Sequence, residues 1–434
     1  MSDAFPIIFQ WFVLASVVFL AGFICRAIVL SLMKPKADVN PPDSAKPDSG
    51  PPFFTLRRPV LWQIIIITAF SRILLYGIAY LSAKFILKQS GGFFDTLPGL
   101  WQRSDAPHYI SIAENWYVNT GEDRVFLVFL PFYPMLIKAF SFVFGNAVFS
   151  GIATSLLSYI AACVLIYEVS LLLGQDEETA FAAVKYAVFF PASFFVNGAF
   201  SEGLFLLLSA LFFHMLLRKK WAAAACFGML AAFTRYYGLL LAVPYAVEYA
   251  QDVSAALALR RKKIAPRAVL AKAAPVLLIP TGTGLFLLVN YIVSGNFFQF
   301  LIYQRVHWSQ KFTFFFDNMR DLALNSLRYD RDVSATMFIP ELICIVLFIC
   351  LMFYGAATGF RVSMLAYLGV YFLLSVSAYW MLSFPRYVFG AVPVFPLLAS
   401  LGRRNRAADT IVSLVCIAGL IYLTVAYVNG FNVF

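Results

Sequence analysis

Charged residues make up only 13% of the 434-residue chain, about half the share found in soluble domains. Beside them stand 62% hydrophobic residues, which excludes a soluble globular enzyme. Histidine occurs three times and cysteine six times. No C-x-x-C pair or mixed Cys/His spacing is present, so neither a structural zinc module nor a dithiol centre is expected. The cysteines are too few and too dispersed for a disulfide framework. Cys163, Cys226, Cys344 and Cys350 lie within apolar runs, where a thiol behaves as a small hydrophobe. The apolar runs also lack period-two alternation, which excludes a transmembrane barrel. What remains is an all-α polytopic membrane protein. Twelve spans of about 20 residues would use about 240 residues and leave ample chain for loops.

The 33 Lys and Arg exceed the 22 Asp and Glu by 11. In a soluble chain this excess would suggest nucleic acid. Here the basic residues gather in short loops between apolar runs, the pattern that orients membrane proteins, so no nucleic-acid partner is expected. The run 5–33 is too long for a signal-peptide core and lacks a basic start, so it reads as a retained helix. Residues 34–59, with the stretch VNPPDSAKPDSGPP, read as a cytoplasmic linker between helix 1–33 and a main domain over 60–434. A span at 60–87 then delivers the chain to the outer face. Residues 126–145 are apolar, but Pro131, Pro134 and Lys138 argue for a re-entrant or interfacial helix within a first outer loop, 88–146. Further spans are expected at 147–173, 179–199, 202–217, 221–235, 237–250, 270–294, 336–358, 362–384, 386–402 and 408–428. This places the basic groups 218–220, 260–263, Arg361 and 403–404 together on the inner side. The outer side receives loops 88–146 and 295–335, and chemistry is expected there.

The first outer loop carries W-Q-R-S-D-A-P-H-Y-I-S-I-A-E over 101–114. Asp105 reads either as an acid facing water or as a general base, with His108 and Arg103 tuning it. Arg235 and Arg386 fall at outer ends of spans, where a guanidinium can snorkel to headgroups or bind a lipid phosphate through its fork. Glu202 opens a helix: an ordinary helix-start acid, or a second carboxylate contacting an acceptor or a metal. Gln304, His307 and Trp308 share one helical turn, which suits either an interfacial belt or carbohydrate binding. Asp330 and Asp332 form a D-x-D, but Arg328 and Arg331 interleave them on a loop placed outside, where nucleotide sugars are scarce. His214 reads as a helix-packing residue, and Q-D-E-E over 175–178 as a solvated inner loop.

The 101–114 run followed by F-L-P-F-Y-P over 129–134 resembles the PIG-V-like mannosyltransferases, members of the GT-C superfamily of integral-membrane glycosyltransferases. Three further stretches resemble the same family in order: S-E-G-L-F over 201–205; A-F-T-R-Y-Y-G over 232–238; and G-N-F-F over 295–298 with Gln304, His307 and Trp308. P-R-Y over 385–387 is similar to a late luminal motif of the wider superfamily. The sequence departs in having Arg103 and Ser104 where family members place Trp beside the Asp. The resemblance implies a GT-C-like bundle and transfer, with inversion, of a sugar, usually mannose, from a polyprenyl-phosphate donor. The acceptor would be a glycan, glycolipid or protein hydroxyl. It implies Asp105 as base with His108 beside it, donor phosphate on Arg235 and Arg386, and substrate contacts from Arg103, Tyr109, Glu202, Gln304, His307, Trp308 and Tyr387. A divalent cation, Mg or Mn, is a candidate cofactor without assigned ligands. The expected location is a bacterial plasma membrane with the site facing out. Two other classes compete. A flippase for lipid-linked sugars would favour internal repeats and mid-membrane ionisable groups. A non-catalytic scaffold would use the N-terminal helix to dock a partner subunit.

Overall fold

The computed structural model describes residues 4–33, 56–259, 271–379 and 382–433. Most of the linker 34–59 and the basic run 260–263 lie outside these residues. The described residues are 83% helical and include no strands. Among the described residues six helices are long and apolar enough to cross a membrane: α1 (Ala4–Met33), α2 (Arg58–Phe85), α6 (Ala147–Leu172), α11 (Ala271–Ser294), α14 (Arg331–Thr358) and α18 (Arg406–Val428). Counting each bent helix pair as one span raises the number to nine. The chain is therefore a multi-pass membrane protein.

Prolines explain where the other expected spans break. Pro191 ends α7 (Glu177–Phe189) and starts a 3-10 turn, Pro191–Asn197, with a bend of 68°. Pro393 precedes α17 (Val394–Arg404), bent by 89° from α16 (Phe384–Gly390). Pro131 separates the turn Glu122–Val128 from α5 (Phe132–Phe144), bent by 112°. In each case the ring fixes φ and removes a backbone donor. The run 126–145 is thus no straight helix, and the helix expected over 362–384 ends earlier, as α15 (Val362–Val376). Two further short apolar helices, α8 (Glu202–Leu217) and α9 (Trp221–Thr234), follow the first bend. A tight turn, Tyr236–Leu241, then leads to α10 (Ala242–Leu259), five residues later than the span expected from 237. Side-chain caps fix other starts: Asn146 accepts from Phe149 N at 2.9 Å and Asp176 from Thr179 N at 2.8 Å.

Helix α2 shows how the bundle is built. Its buried residues are Ile64, Thr68, Ser71, Arg72, Leu75, Ala79, Ser82 and Ala83, whereas Trp62, Ile66, Phe70 and Ile73 point outward. Small and polar groups face the interior and large apolar groups face out, as a lipid surround favours. Arg72, only 2% exposed, donates to Val188 O at 2.6 Å and Ser193 O at 2.8 Å, and its guanidinium lies over the Tyr159 ring. It thereby supplies donors to carbonyls at the Pro191 break. Tyr76 donates to Asn197 O at 2.6 Å and completes the clamp. Arg72→Met should destabilise the protein by about 1–3 kcal/mol for each carbonyl left unpaired. Thermal unfolding in nanodiscs checks this, and an unchanged midpoint would remove the clamp from the account.

Helix α1 is anchored at both ends. Trp11 meets Phe316 of α13 (Phe315–Arg328) edge-on at 5.0 Å, and Leu32 O accepts from Ser254 Oγ of α10. Two glycines bring the site elements together. A Cβ on Gly203 would stand 2.4 Å from Ser155 O of α6, and one on Gly238 would stand 2.2 Å from Ala231 C of α9. Glu202 and Arg235 lie beside these contacts.

Candidate functional site

Asp105 sits at the N-cap of α4 (Ala106–Asn115), and its side chain makes no capping bond there. The preceding Ser104 has φ of +54°, a left-handed conformation rare outside glycine, which marks a backbone held by its surroundings. Freed from capping, the Asp105 carboxylate pairs with the guanidinium of Arg386 at 2.6 Å. Arg386 comes from α16 and is 7% exposed, with Phe195 and Phe200 rings against its guanidinium. Its Nε donates to Glu202 Oε1. The same oxygen accepts from Arg235 Nη1 at 2.6 Å, and that Nη1 also lies 3.1 Å from Ser201 Oγ. Ser201 Oγ is 3.0 Å from Tyr109 Oη. Four segments distant in sequence therefore meet in one network at the ends of α4, α8, α9 and α16.

Two carboxylates, Asp105 and Glu202, face two guanidiniums, Arg235 and Arg386, so the network is neutral by count (2 − 2). Exposure grades across it. The Asp105 side chain is 25% exposed, Arg235 14%, Arg386 7% and Glu202 2%. Asp105 is thus the most exposed member, and Glu202 is the buried hub. Glu202 Oε2 is buried without a hydrogen-bond partner among the described residues. Each arginine retains N–H groups beyond those in these bonds, because a guanidinium carries five.

An aromatic wall flanks Asp105. His108 packs against Phe126 at 4.5 Å and Phe129 at 5.3 Å. Burial holds its imidazole below the ordinary histidine pKa, a fall that Asp105 and Asp123 partly offset. His108 is therefore neutral at pH 7 and can accept or donate a hydrogen bond. Tyr109, beside Phe129 and Tyr133, has its phenol pushed up to about 12, chiefly by burial, and stays protonated. Residues of the expected loop 295–335 join this wall. Helix α12 (Gln299–His307) packs on the turn Glu122–Val128, and Trp308 meets Phe129 edge-on at 6.0 Å.

No known family model matches the chain, and neither does any curated protein. Geometry alone therefore orders the residues singled out from the sequence. Asp105, Tyr109, Glu202, Arg235 and Arg386 come together directly, with His108 and Trp308 joined through Phe129. Tyr387 lies 5.0 Å from the Tyr237 ring, next in sequence to Arg386. Gln304 is half-buried and His307 exposed, on the helix that leads to Trp308. Arg103 instead packs on the C-terminal turn, where a Cβ at Gly430 would stand 2.7 Å from its Nη1. The cation on Asp105 is Arg386, not its near neighbour Arg103. Asp330 and Asp332 are exposed at the start of α14, and His214 is buried within α8. No group of three metal-ligating side chains occurs among the described residues.

Sequence reasoning missed Ser201 as the bridge between Tyr109 and Arg235, and Arg72 as the clamp on the Pro191 turn. Serine carries no distinctive signal. Arg72 does, being a lone cation in an apolar run.

Proposed function

We propose that the protein is an inverting glycosyltransferase that moves a sugar, of the mannose class, from a polyprenyl phosphate to a hydroxyl acceptor at the extracytoplasmic face. The observation that carries this reading is the partly open Asp105 carboxylate standing on a buried Arg386–Glu202–Arg235 network beside an aromatic wall. In this reading the twelve expected segments form a GT-C-like bundle in a bacterial plasma membrane, with both large loops outside.

The chemistry follows from the network. An acceptor hydroxyl oxygen attacks the anomeric carbon, and its proton passes to Asp105. Asp105 Oδ2 is held by Arg386, which leaves Oδ1 to take the proton. The bond between the anomeric carbon and the phosphate oxygen breaks, and its electron pair leaves with the polyprenyl phosphate. Remaining N–H groups of Arg235 and Arg386 stabilise that charge in a water-poor site, typically the largest catalytic term. The wall of His108, Phe126 and Trp308 offers flat apolar faces for the sugar rings.

Ionisable groups inside spans would favour a transporter if they faced a water path. Here Arg72 and Glu341 are each hydrogen-bonded to backbone, which favours the transferase reading.

The test is transfer from radiolabelled polyprenyl-phosphate mannose by purified protein in nanodiscs, with membrane extract as acceptor source. Absence of transfer with mannose and other sugars would overturn the reading. Because Arg235 is the more exposed guanidinium, it should carry more of the phosphate contact. Arg235→Lys keeps the charge but loses the fork, and should raise the donor KM about tenfold, the loss expected for one charge-assisted hydrogen bond. An unchanged donor KM would remove Arg235 from the phosphate site.

A further inference from the structure

Glu341 lies in α14, three residues after a π-helical turn, Ser334–Phe338, and is 2% exposed. A buried acid in an apolar helix is costly unless something is gained from it. Its hydrogen-bond partner among the described residues is one backbone group of another helix. Phe384 N donates to both carboxylate oxygens, at 3.0 and 2.9 Å. Phe384 opens α16, where the next residue, Pro385, has no N–H of its own. Arg386 follows directly. The ring of Phe384 is fully buried against Phe348 of α14 and Phe372 of α15, so backbone and side chain of this residue are both fixed from α14.

We propose that Glu341 is a positioning residue: by holding the Phe384 amide it sets where α16 begins, and so places Arg386 between Asp105 and Glu202. Arg386 has little freedom of its own, since its guanidinium bridges both carboxylates and is flanked by Phe195 and Phe200. A shift of the α16 start would lengthen one of the two pairs. Glu341 reaches the site only through this backbone contact, and the assignment of a catalytic consequence rests on the transferase reading.

The experiment compares Glu341→Gln, which keeps a carbonyl acceptor, with Glu341→Leu, which keeps bulk and loses the acceptor. Amide hydrogen exchange in nanodiscs gives a readout independent of activity. In the Leu variant, exchange should rise about tenfold at Phe384 and also in the segment around Asp105, whose anchor is Arg386. The Gln variant should stay near wild type at both. Loosening confined to Phe384, or none at either place, would overturn the inference even if no sugar is ever transferred. Kinetics supply the second arm. Glu341→Leu should lower kcat/KM about tenfold in the wild-type background and less than about twofold in Arg386→Lys, the signature of acting through Arg386. Equal losses in the two backgrounds would overturn it, as would a Gln variant as impaired as the Leu one. Failure of the wild type to transfer any sugar would sink the transferase reading instead, with the exchange data still deciding the positioning claim.

Discussion

Asp105→Asn should retain the fold and lose about 10²–10⁴-fold in sugar transfer, the range expected when a positioned general base is removed. Asparagine is nearly isosteric, and its carbonyl can still accept from Arg386, so the contact at 2.6 Å has a substitute. The Asp105 side chain is 25% exposed, so its loss as a charge leaves Arg386 paired with the more buried Glu202. Thermal midpoint and donor KM should therefore move little while kcat falls, since proton abstraction is felt in the transition state alone. Single-turnover transfer in nanodiscs separates these quantities. A variant within threefold of wild type would move the base elsewhere, with Glu202 and its unpartnered Oε2 next to be tested.

Glu202→Ala should do the opposite, and cost stability before catalysis. The Glu202 side chain is 2% exposed and accepts from both Arg386 and Arg235. Its removal leaves Arg235 without its ion partner and Arg386 with Asp105 alone. Breaking a buried ion pair by deleting one partner typically costs about 3–5 kcal/mol, because the remaining charge stays desolvated. The expected result is a markedly lower thermal midpoint or loss of folded protein on purification. Removing a cation as well, in Glu202→Leu with Arg386→Met, should recover part of that loss, since apolar replacement of a whole buried pair is often tolerated. A single variant as stable as wild type would show that water reaches this network more freely than its burial implies.

Much of the bundle was legible in the sequence because apolar runs and prolines act locally. The long helices α1, α2, α6, α11, α14 and α18 correspond to uninterrupted runs, and the break at Pro131 was expected from its ring, whereas those at Pro191 and Pro393 interrupt segments expected as single spans, 179–199 and 386–402. The spans expected at 202–217 and 221–235 are helices of 16 and 14 residues. At 1.5 Å per residue they reach about 24 and 21 Å, short of a 30 Å hydrocarbon core. The start of α10 slipped to Ala242 because the chain first makes a tight 3-10 turn, which hydropathy does not reveal.

The site was legible by residue type and not by pairing. Asp105, Glu202, Arg235 and Arg386 stood out as charges within the runs 101–114, 201–205, 232–238 and 385–387. That Arg386 would bridge to Glu202, 184 residues away, depends on helix packing that no local pattern records. Arg103 was drawn toward Asp105 by proximity in sequence, yet the turn at Ser104 directs it to the C-terminal segment. Glu341 escaped notice because its partner is a backbone amide, which any residue could have supplied.

The four-residue network also has an order in time. Asp105, Glu202 and Arg235 are synthesised well before Arg386, which follows Arg235 by 151 residues (386 − 235). At about 5–20 residues per second that interval is about 8–30 s. Glu202 and Arg235 lie on neighbouring helices, α8 and α9, and can neutralise each other as soon as both are inserted. Asp105, the most exposed member, can remain hydrated meanwhile. The growing bundle thus has its buried acid matched early within the membrane, and both carboxylates are bridged only once α16 has been made.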